Sequence, residues 1–486
     1  MKIRKNTILN KLNESALKKI IPFHMPGHKR NIQCSMFLRK LGAKYDITEI
    51  PGYDNMHNPD GIILNVMQKA EKLWNSKRSF LLINGSTCGI QAAINTLADP
   101  KDKIIVARNC HKSVYNMIEL QDLKPVFINP VINNELGIYG SIEPETLDKV
   151  LTNNPDAKLV IVTSPTYEGV ISDIKSLCQV SHNHNVPIVV DEAHGAHLKL
   201  NRYFDNSAIT AKADIVIQSL HKTLPSLTQT AIAHVCSNNI NCENFQRNLS
   251  VFQTSSPSYI LLSSIEGCID LLLEKKDIIY TKWIKILDYL DSRLARLKNV
   301  KTFYHGLSKN IVYNGVFAYD RAKLVINTDG LNINGKKLFE TLAKDYGIIC
   351  EMYSGNYVLA MLSMCDKKSS VRKLCNALEQ IDMIFEGADT NGNKVNSLLY
   401  FDIPKQCLDI RTARKKEHIC IPLNESVSRI CAEYIWAYPP GIPLLIPGEQ
   451  ITSDIINMLL KMMSCGIELK SDYNNEGYIS VLRDCC

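Results

Sequence analysis

Short apolar runs and helical-length stretches alternate through the middle of the chain. Phe80-Leu-Leu-Ile83, Ile104-Ile-Val-Ala107, Val126-Phe-Ile128, Leu159-Val-Ile-Val162, Ile188-Val-Val190 and Ile215-Val-Ile217 are each brief and rich in aliphatics, and each is followed by turn or polar residues. That is the pattern of strands buried on both faces. The segments between them, such as Gly89 to Ala98 and Ile174 to Asn185, have helical length or spacing. The alternation predicts an α/β fold: a mainly parallel sheet with helices on both faces. Ligands of such sheets bind outside the carboxyl ends of the strands, where the polar residues of this chain concentrate.

After about Pro257 the pattern changes. Tyr259 to Lys275 and Ile278 to Lys298 read as two long helices, the second amphipathic and closing on Lys and Arg. Lys323-Leu-Val-Ile-Asn327 and Tyr357-Val-Leu-Ala-Met361 follow as alternating runs, separated by a helix near Gly335 to Tyr346. Together they predict a smaller α+β domain. Gly387 to Val395, rich in Asn, Gly and Asp, reads as a surface loop. The expected organisation is an N-terminal arm over 1–45, a large domain over 46–290 and a C-terminal α+β domain over 291–486, without internal repeats.

Composition narrows the function classes. With 486 residues, 45% of them hydrophobic and 22% charged, the chain has the usage of a globular protein of two or three domains, not of a disordered or fibrous one. The apolar stretch from Tyr434 to Ile446 is interrupted by Pro439, Pro440, Gly441 and Pro443, so no membrane span is expected. Met1 to Lys19 lacks the continuous apolar core of a secretory signal. Sixteen cysteines, scattered without a C-x-x-C, read as reduced thiols of a cytoplasmic protein. The net charge of +7 is diluted over the chain; its densest basic run, Arg411 to Lys416, reads as a solvated face and not as a nucleic-acid site.

Three motifs invite other readings. Asp191-Glu192-Ala193-His194 spells a helicase-type signature, but the only near match to a phosphate loop, Gly330 to Lys337, lies downstream and has Lys337 where a magnesium-binding hydroxyl belongs. His194 and His197, or His24 and His28, have the spacing of metal ligands, but the first pair follows a strand directly and contains Gly195, so a turn is expected and no metal. Gly85-Ser86-Thr87 follows a strand and opens a helix. Alone it is equally a helix cap or an anion cradle.

The combination decides between them. In order along the sheet come Gly85-Ser86-Thr87, Asn109-Cys110-His111-Lys112-Ser113, Thr163-Ser164-Pro165-Thr166-Tyr167, Asp191-Glu192-Ala193-His194 and Ser219-Leu220-His221-Lys222-Thr223. Each has a role if the ligand is pyridoxal 5′-phosphate. Lys222 can form a Schiff base with the aldehyde. Asp191 can keep the pyridine nitrogen protonated, making the ring an electron sink. His111 can stack on the ring face, and Ser86, Thr87, Ser219 and His221 offer donors to the phosphate.

These motifs, with Phe23-His-Met-Pro-Gly-His-Lys29, Asp46-Ile-Thr-Glu49, Asn84-Gly-Ser-Thr87, Ser164-Pro-Thr-Tyr-Glu-Gly169, Val190 to His197, Ser219 to Pro225, Ala437 to Pro443 and Ile446-Pro-Gly-Glu449, give the chain its resemblance. It resembles the Orn/Lys/Arg decarboxylase family of fold-type-I pyridoxal-phosphate enzymes, particularly the short Gram-positive arginine decarboxylase type. The resemblance runs from about residue 22 to about residue 450. It implies an aminotransferase-like large domain, with Lys222 as the cofactor lysine, Asp191 at the pyridine nitrogen, His111 on the ring, Ala193 beneath it and His194 among the cofactor-binding residues. It also implies homodimers or dimer-based assemblies, with Thr254-Ser255-Ser256-Pro257 reaching the partner's phosphate.

The implied reaction is decarboxylation of a basic L-amino acid: arginine to agmatine and CO₂ first, lysine second, ornithine third. The cationic end of such a substrate calls for carboxylates, and Glu49, Asp46 and Asp54 are the candidates. An aminotransferase or another fold-type-I lyase would share Lys222 and Asp191. A binding-only relic of the fold would have no need of Lys222. Polyamine synthesis and acid resistance both consume basic amino acids, and no feature of the chain selects between them.

Overall fold

Six aliphatic runs flanked by polar residues form six strands: β1 (Arg78–Leu82), β2 (Lys103–Ala107), β3 (Lys124–Ile128), β4 (Leu159–Thr163), β5 (Ile188–Asp191) and β6 (Ile215–Gln218). Ile104, Val106, Leu159, Ile161, Val190 and Ile217 are wholly buried, as expected of strands covered on both faces. A seventh strand, β7 (Ala231–Val235), escapes the sequence pattern because His234 interrupts its apolar run. His234 is nevertheless inside. Its Nδ1 lies 2.8 Å from Ser79 Oγ, and burial drives its pKa down to about 3, so the ring is neutral.

The computed structural model describes residues 7–17, 25–26, 29, 38, 41–133, 135–387, 402–437, 441–464, 467–473 and 477–483. Most of the expected loop from Gly387 to Val395 lies outside them, as do His24 and His28. The chain divides into two compact units, Met1–Thr96 with Val189–Ile279 and Leu97–Ile188 with Tyr280–Cys486.

In the first unit the strand order is β1-β7-β6-β5. β1 and β6 flank β7 antiparallel, while β5 runs parallel to β6 with Asp191 opposite Ile217. The helix Gly85–Leu97 presses closely on these strands: a Cβ at Gly89 would lie 2.6 Å from Leu82 Cδ1 and 3.1 Å from Ile217 Cδ1. Phe80 of β1 meets Phe245 of the helix Cys242–Phe252 edge-on, with ring centroids 5.3 Å apart.

In the second unit β2 lies between β3 and β4, parallel to both. A second sheet, wholly antiparallel, orders β8 (Lys301–Thr302), β9 (Lys323–Asn327), β11 (Tyr357–Met361) and β10 (Met352–Tyr353). The helices Gly335–Tyr346 and Lys368–Ile384 accompany it, giving the expected α+β pattern. A third cluster packs Leu444, Leu445, Ile451, Ile455, Leu459, Ile479 and Val481.

One expectation needs correction. The helices predicted over Tyr259 to Lys275 and Ile278 to Lys298 are one, Tyr259–Leu294. The intervening charges sit on its solvent side and contain neither Gly nor Pro to break it. In the basic run Arg411 to Lys416, Arg411, Lys415 and Lys416 are exposed, while Arg414 Nη1 pairs with Asp472 at 2.8 Å. Among the described residues no helix is long and apolar enough to cross a membrane.

Candidate active site

Because β5 and β6 are parallel neighbours, their carboxyl ends open on the same edge and bring Asp191-Glu-Ala-His194 beside Ser219-Leu-His-Lys222. β6 ends at Gln218, and the chain turns at once into a four-residue helical turn, Leu220–Thr223. Lys222 projects from that turn, and its Nζ lies 3.0 Å from His194 Nε2. Asp191 is buried at 3% exposure and accepts the Ala193 amide through Oδ1 at 3.1 Å. Burial raises its carboxyl above the ordinary range, and the Lys222 charge and the Ala193 amide draw it partly back. Ala193 itself is buried.

The anion cradle is built in the same unit. Gly85 opens its helix with φ at 76°, a backbone conformation that favours glycine, and a Cβ there would meet nothing within 4 Å. The backbone amides of Ser86 and Thr87 lie in the first turn, where no intrahelical carbonyl can take them. Two glutamines that sequence reasoning missed hold the turn. Gln253 Oε1 accepts the Ile83 amide at 3.0 Å, Gln229 Nε2 donates to the Ile83 carbonyl at 2.6 Å, and the Gly85 amide donates to the Gln229 carbonyl at 3.0 Å.

The donors fit a phosphate on an independent observation. Ser219 stands at an N-cap position yet makes no cap bond; its hydroxyl is fully buried and has no hydrogen-bond partner among the described residues. An anion's oxygen meets that need. His221 is constrained differently. The Thr230 carbonyl can only accept, so Nδ1, 2.9 Å away, carries the hydrogen. Burial, with Lys222 nearby, lowers the ring's pKa, and a neutral His221 therefore presents Nε2 as an acceptor.

His111 lies in the second unit, as the N-cap of the helix Lys112–Gln121. The Ser113 amide donates to His111 Nδ1 at 3.2 Å, so in the neutral ring Nε2 bears the hydrogen.

The acidic candidates separate. Asp54 is a structural cap: Oδ1 accepts the amides of Asn55 and Asp60 at 2.9 and 3.0 Å, and Oδ2 those of Gly61, Ile63 and Leu64 at 2.9, 2.8 and 3.3 Å. Burial alone would raise this carboxyl, but the amides outweigh it and hold it below the ordinary value. Both oxygens are thus engaged at the start of the helix Ile62–Trp74. Glu49 engages only Oε1 in the bonds seen, accepting the Met56 amide at 3.2 Å, and Asp46 is half-buried nearby in sequence. Thr254, Ser255 and Ser256 are exposed, and the Thr254 amide approaches Asn84 Oδ1 of the same chain at 3.4 Å.

Glu192, the second letter of the helicase-like motif, is a scaffold. Oε1 accepts the Ala208 amide at 2.6 Å, and Oε2 accepts Gln218 Nε2 at 2.6 Å and Ser207 Oγ at 3.1 Å. Burial pushes its pKa up to about 8 from 4.5, against these bonds. A folded-state pKa above the unfolded one makes the associated stability complete below about pH 4.5 and lost as the pH rises through about 8. Urea midpoints at pH 6 and pH 9 should therefore fall further in the wild type than in Glu192→Gln; equal falls would refute the assignment.

His197 of the same turn packs edge-on against Phe204, with ring centroids 5.1 Å apart. Among the described residues no group of three or more His, Cys, Asp or Glu could hold a metal ion.

Comparison with known proteins matches residues 8–370 to the Orn/Lys/Arg decarboxylase major domain and residues 403–469 to the C-terminal domain of the same family. An arginine decarboxylase of Bacillus subtilis is 31% identical over 463 residues, covering 94% of each chain. The inducible lysine decarboxylase of Escherichia coli is 23% identical, covering 92% of this chain and 76% of its own. Among solved structures, a Francisella novicida lysine decarboxylase superposes with a TM-score of 0.84 at 19% identity, over 98% of this chain and 81% of that one. With a lysine at a strand end, a buried aspartate beside it and both domains of one family matched in order, the chain belongs to the Orn/Lys/Arg decarboxylase family.

Proposed function

We propose that this protein converts arginine to agmatine and CO₂, with pyridoxal 5′-phosphate as its cofactor. The observation that carries the reading is the juxtaposition, in one unit, of the Lys222 amine with a buried Asp191 that lies within its field. When bound, pyridoxal phosphate supplies an aldehyde for that amine and a ring that takes up the electron pair left behind by CO₂. Asp191 holds the proton on the pyridine nitrogen. The amides and hydroxyls of Ser86 and Thr87, with Ser219 Oγ, bind the phosphate. By the resemblance, Ala193 would lie beneath the ring and His111 would stack on it. His221 joins the phosphate donors only in its doubly protonated form, because Nδ1 is given to Thr230. Glu49, with Asp46, receives the cationic end of the substrate.

Arginine is preferred because the curated arginine decarboxylase is the more similar relative, at 31% identity against 23% for the lysine enzyme. The described cysteines form no disulfide, which supports a reducing, cytoplasmic setting. A homodimer serving polyamine biosynthesis completes the proposal.

The test is amine product analysis with arginine, lysine and ornithine supplied separately. Agmatine alone is the expected result. Cadaverine or putrescine would keep the chemistry and overturn the substrate. No amine from any of the three, in protein that still binds the cofactor, would overturn decarboxylation.

A further inference from the structure

A lysine at its ordinary pKa of about 10.4 is an ammonium at neutral pH and has no lone pair with which to attack an aldehyde. Some group has to take its proton. His194 Nε2, 3.0 Å from Lys222 Nζ, is placed to receive it. Among the described residues, Asp191 and His221 are also within the field of Lys222. His221 is the poorer acceptor, because its Nδ1 hydrogen is given to Thr230 and burial, with the Lys222 charge, lowers its affinity for a second proton. Asp191 is aligned elsewhere, with Oδ1 on the Ala193 amide at 3.1 Å.

Charge balance points the same way. Asp191 is 3% exposed and His194 7%. Two cations in contact in so little water repel strongly, so a Lys222–His194 pair carries one proton and not two.

We propose that His194 is the proton acceptor that frees the Lys222 amine and aims it, an inference that rests on the cofactor reading above. The proton passes from Nζ to Nε2, leaving a neutral amine and an imidazolium with hydrogens on both nitrogens. With pyridoxal phosphate bound, the neutral Lys222 amine could add to its aldehyde, and the carbonyl oxygen would leave as water with the two hydrogens of the amine. When a substrate amine displaces Lys222, the proton returns to Nζ along the same 3.0 Å contact.

The experiment follows pyridoxal phosphate capture by protein stripped of cofactor, as a rate against pH, with borohydride reduction and peptide mass spectrometry to locate the adduct. The wild-type midpoint should lie at least about two pH units below that of an ordinary lysine. In His194→Gln the side-chain amide can still accept from Nζ but cannot take its proton. Its midpoint should rise by about one unit or more, and capture at pH 7.5 should slow about tenfold or more. Pyridoxine phosphate, which has no aldehyde, is the control for the pocket: capture rates are compared at concentrations scaled to each protein's affinity for it, so that a loss of binding is not read as a loss of proton transfer. His194→Asn serves as a second variant if the first folds poorly. A wild-type midpoint near that of free lysine overturns the proposal with no variant needed, and a variant with the wild-type midpoint overturns it equally. A wild type that acquires no adduct at Lys222 sinks the cofactor reading itself, and this inference with it.

Discussion

Lys222→Ala is expected to lower CO₂ release from arginine by at least about 10³-fold, the scale on which removing a covalent catalyst acts. The more discriminating variant is Lys222→Arg. A guanidinium keeps a positive charge facing Asp191, so the electrostatics that draw that buried carboxyl back toward ionisation survive. It never gives up its proton in the accessible pH range, however, and so cannot act as the amine. If Lys222 acts through its nucleophilic nitrogen, Lys222→Arg is as inactive as Lys222→Ala while its urea midpoint stays near the wild-type value. If the lysine only balances Asp191, the arginine variant recovers most of the activity. Activity within tenfold of wild type in Lys222→Ala, with a borohydride adduct on another lysine, would remove Lys222 from the chemistry.

The parallel core was legible because burial on both faces leaves a plain mark, a short aliphatic run closed by polar residues. That mark located β1 to β6. It failed at β7, where His234 satisfies its Nδ1 with Ser79 and is held neutral inside the sheet, so a polar letter stands at a core position. It failed again along Tyr259–Leu294, because a cluster of charges looks like a boundary in sequence but lies on one side of an unbroken helix.

The candidate site was legible to a different depth. Lys222 and Asp191 stand at strand ends, and their residue types state their chemistry. Their partners carry no such signal. The resemblance makes His194 one cofactor-binding residue among several, and its approach to Lys222 becomes visible only once β5 and β6 are known to be neighbours. Asp54 and Glu49 look alike as acidic residues of one segment; among the described residues, five backbone amides on one and a single amide on the other separate them. Glu192 shows how a conspicuous motif letter can serve the scaffold alone.

The largest stability effect is expected at a pair that no local pattern reveals, because its members are 341 residues apart. Arg108 follows β2 directly and is 1% exposed; Glu449, from the Ile446-Pro-Gly-Glu motif, is wholly buried. Arg108 Nη2 donates to Glu449 Oε2 at 3.0 Å, while Nη1 lies 2.9 Å from Oε1 but outside hydrogen-bonding geometry, a contact of charge alone. The Ile446 amide donates to Oε2 at 2.9 Å, and the guanidinium sits 4.8 Å from the centroid of the Phe127 ring. Burial opposes the charge on Arg108, and the Glu449 carboxylate outweighs it. The arrangement also governs the residues that follow: Tyr115 OH donates to the Arg108 carbonyl at 2.7 Å, so the segment carrying His111 is held at both ends. Glu449→Ala leaves a dry guanidinium uncompensated and should cost about 3–5 kcal/mol in urea unfolding. Replacing both members, as in Arg108→Met with Glu449→Leu, removes the two charges together and should recover most of that loss, since apolar substitutes for buried pairs are often neutral or better. A double variant as unstable as the single would mean that shape and the bonds to Ile446, and not charge compensation, hold this junction.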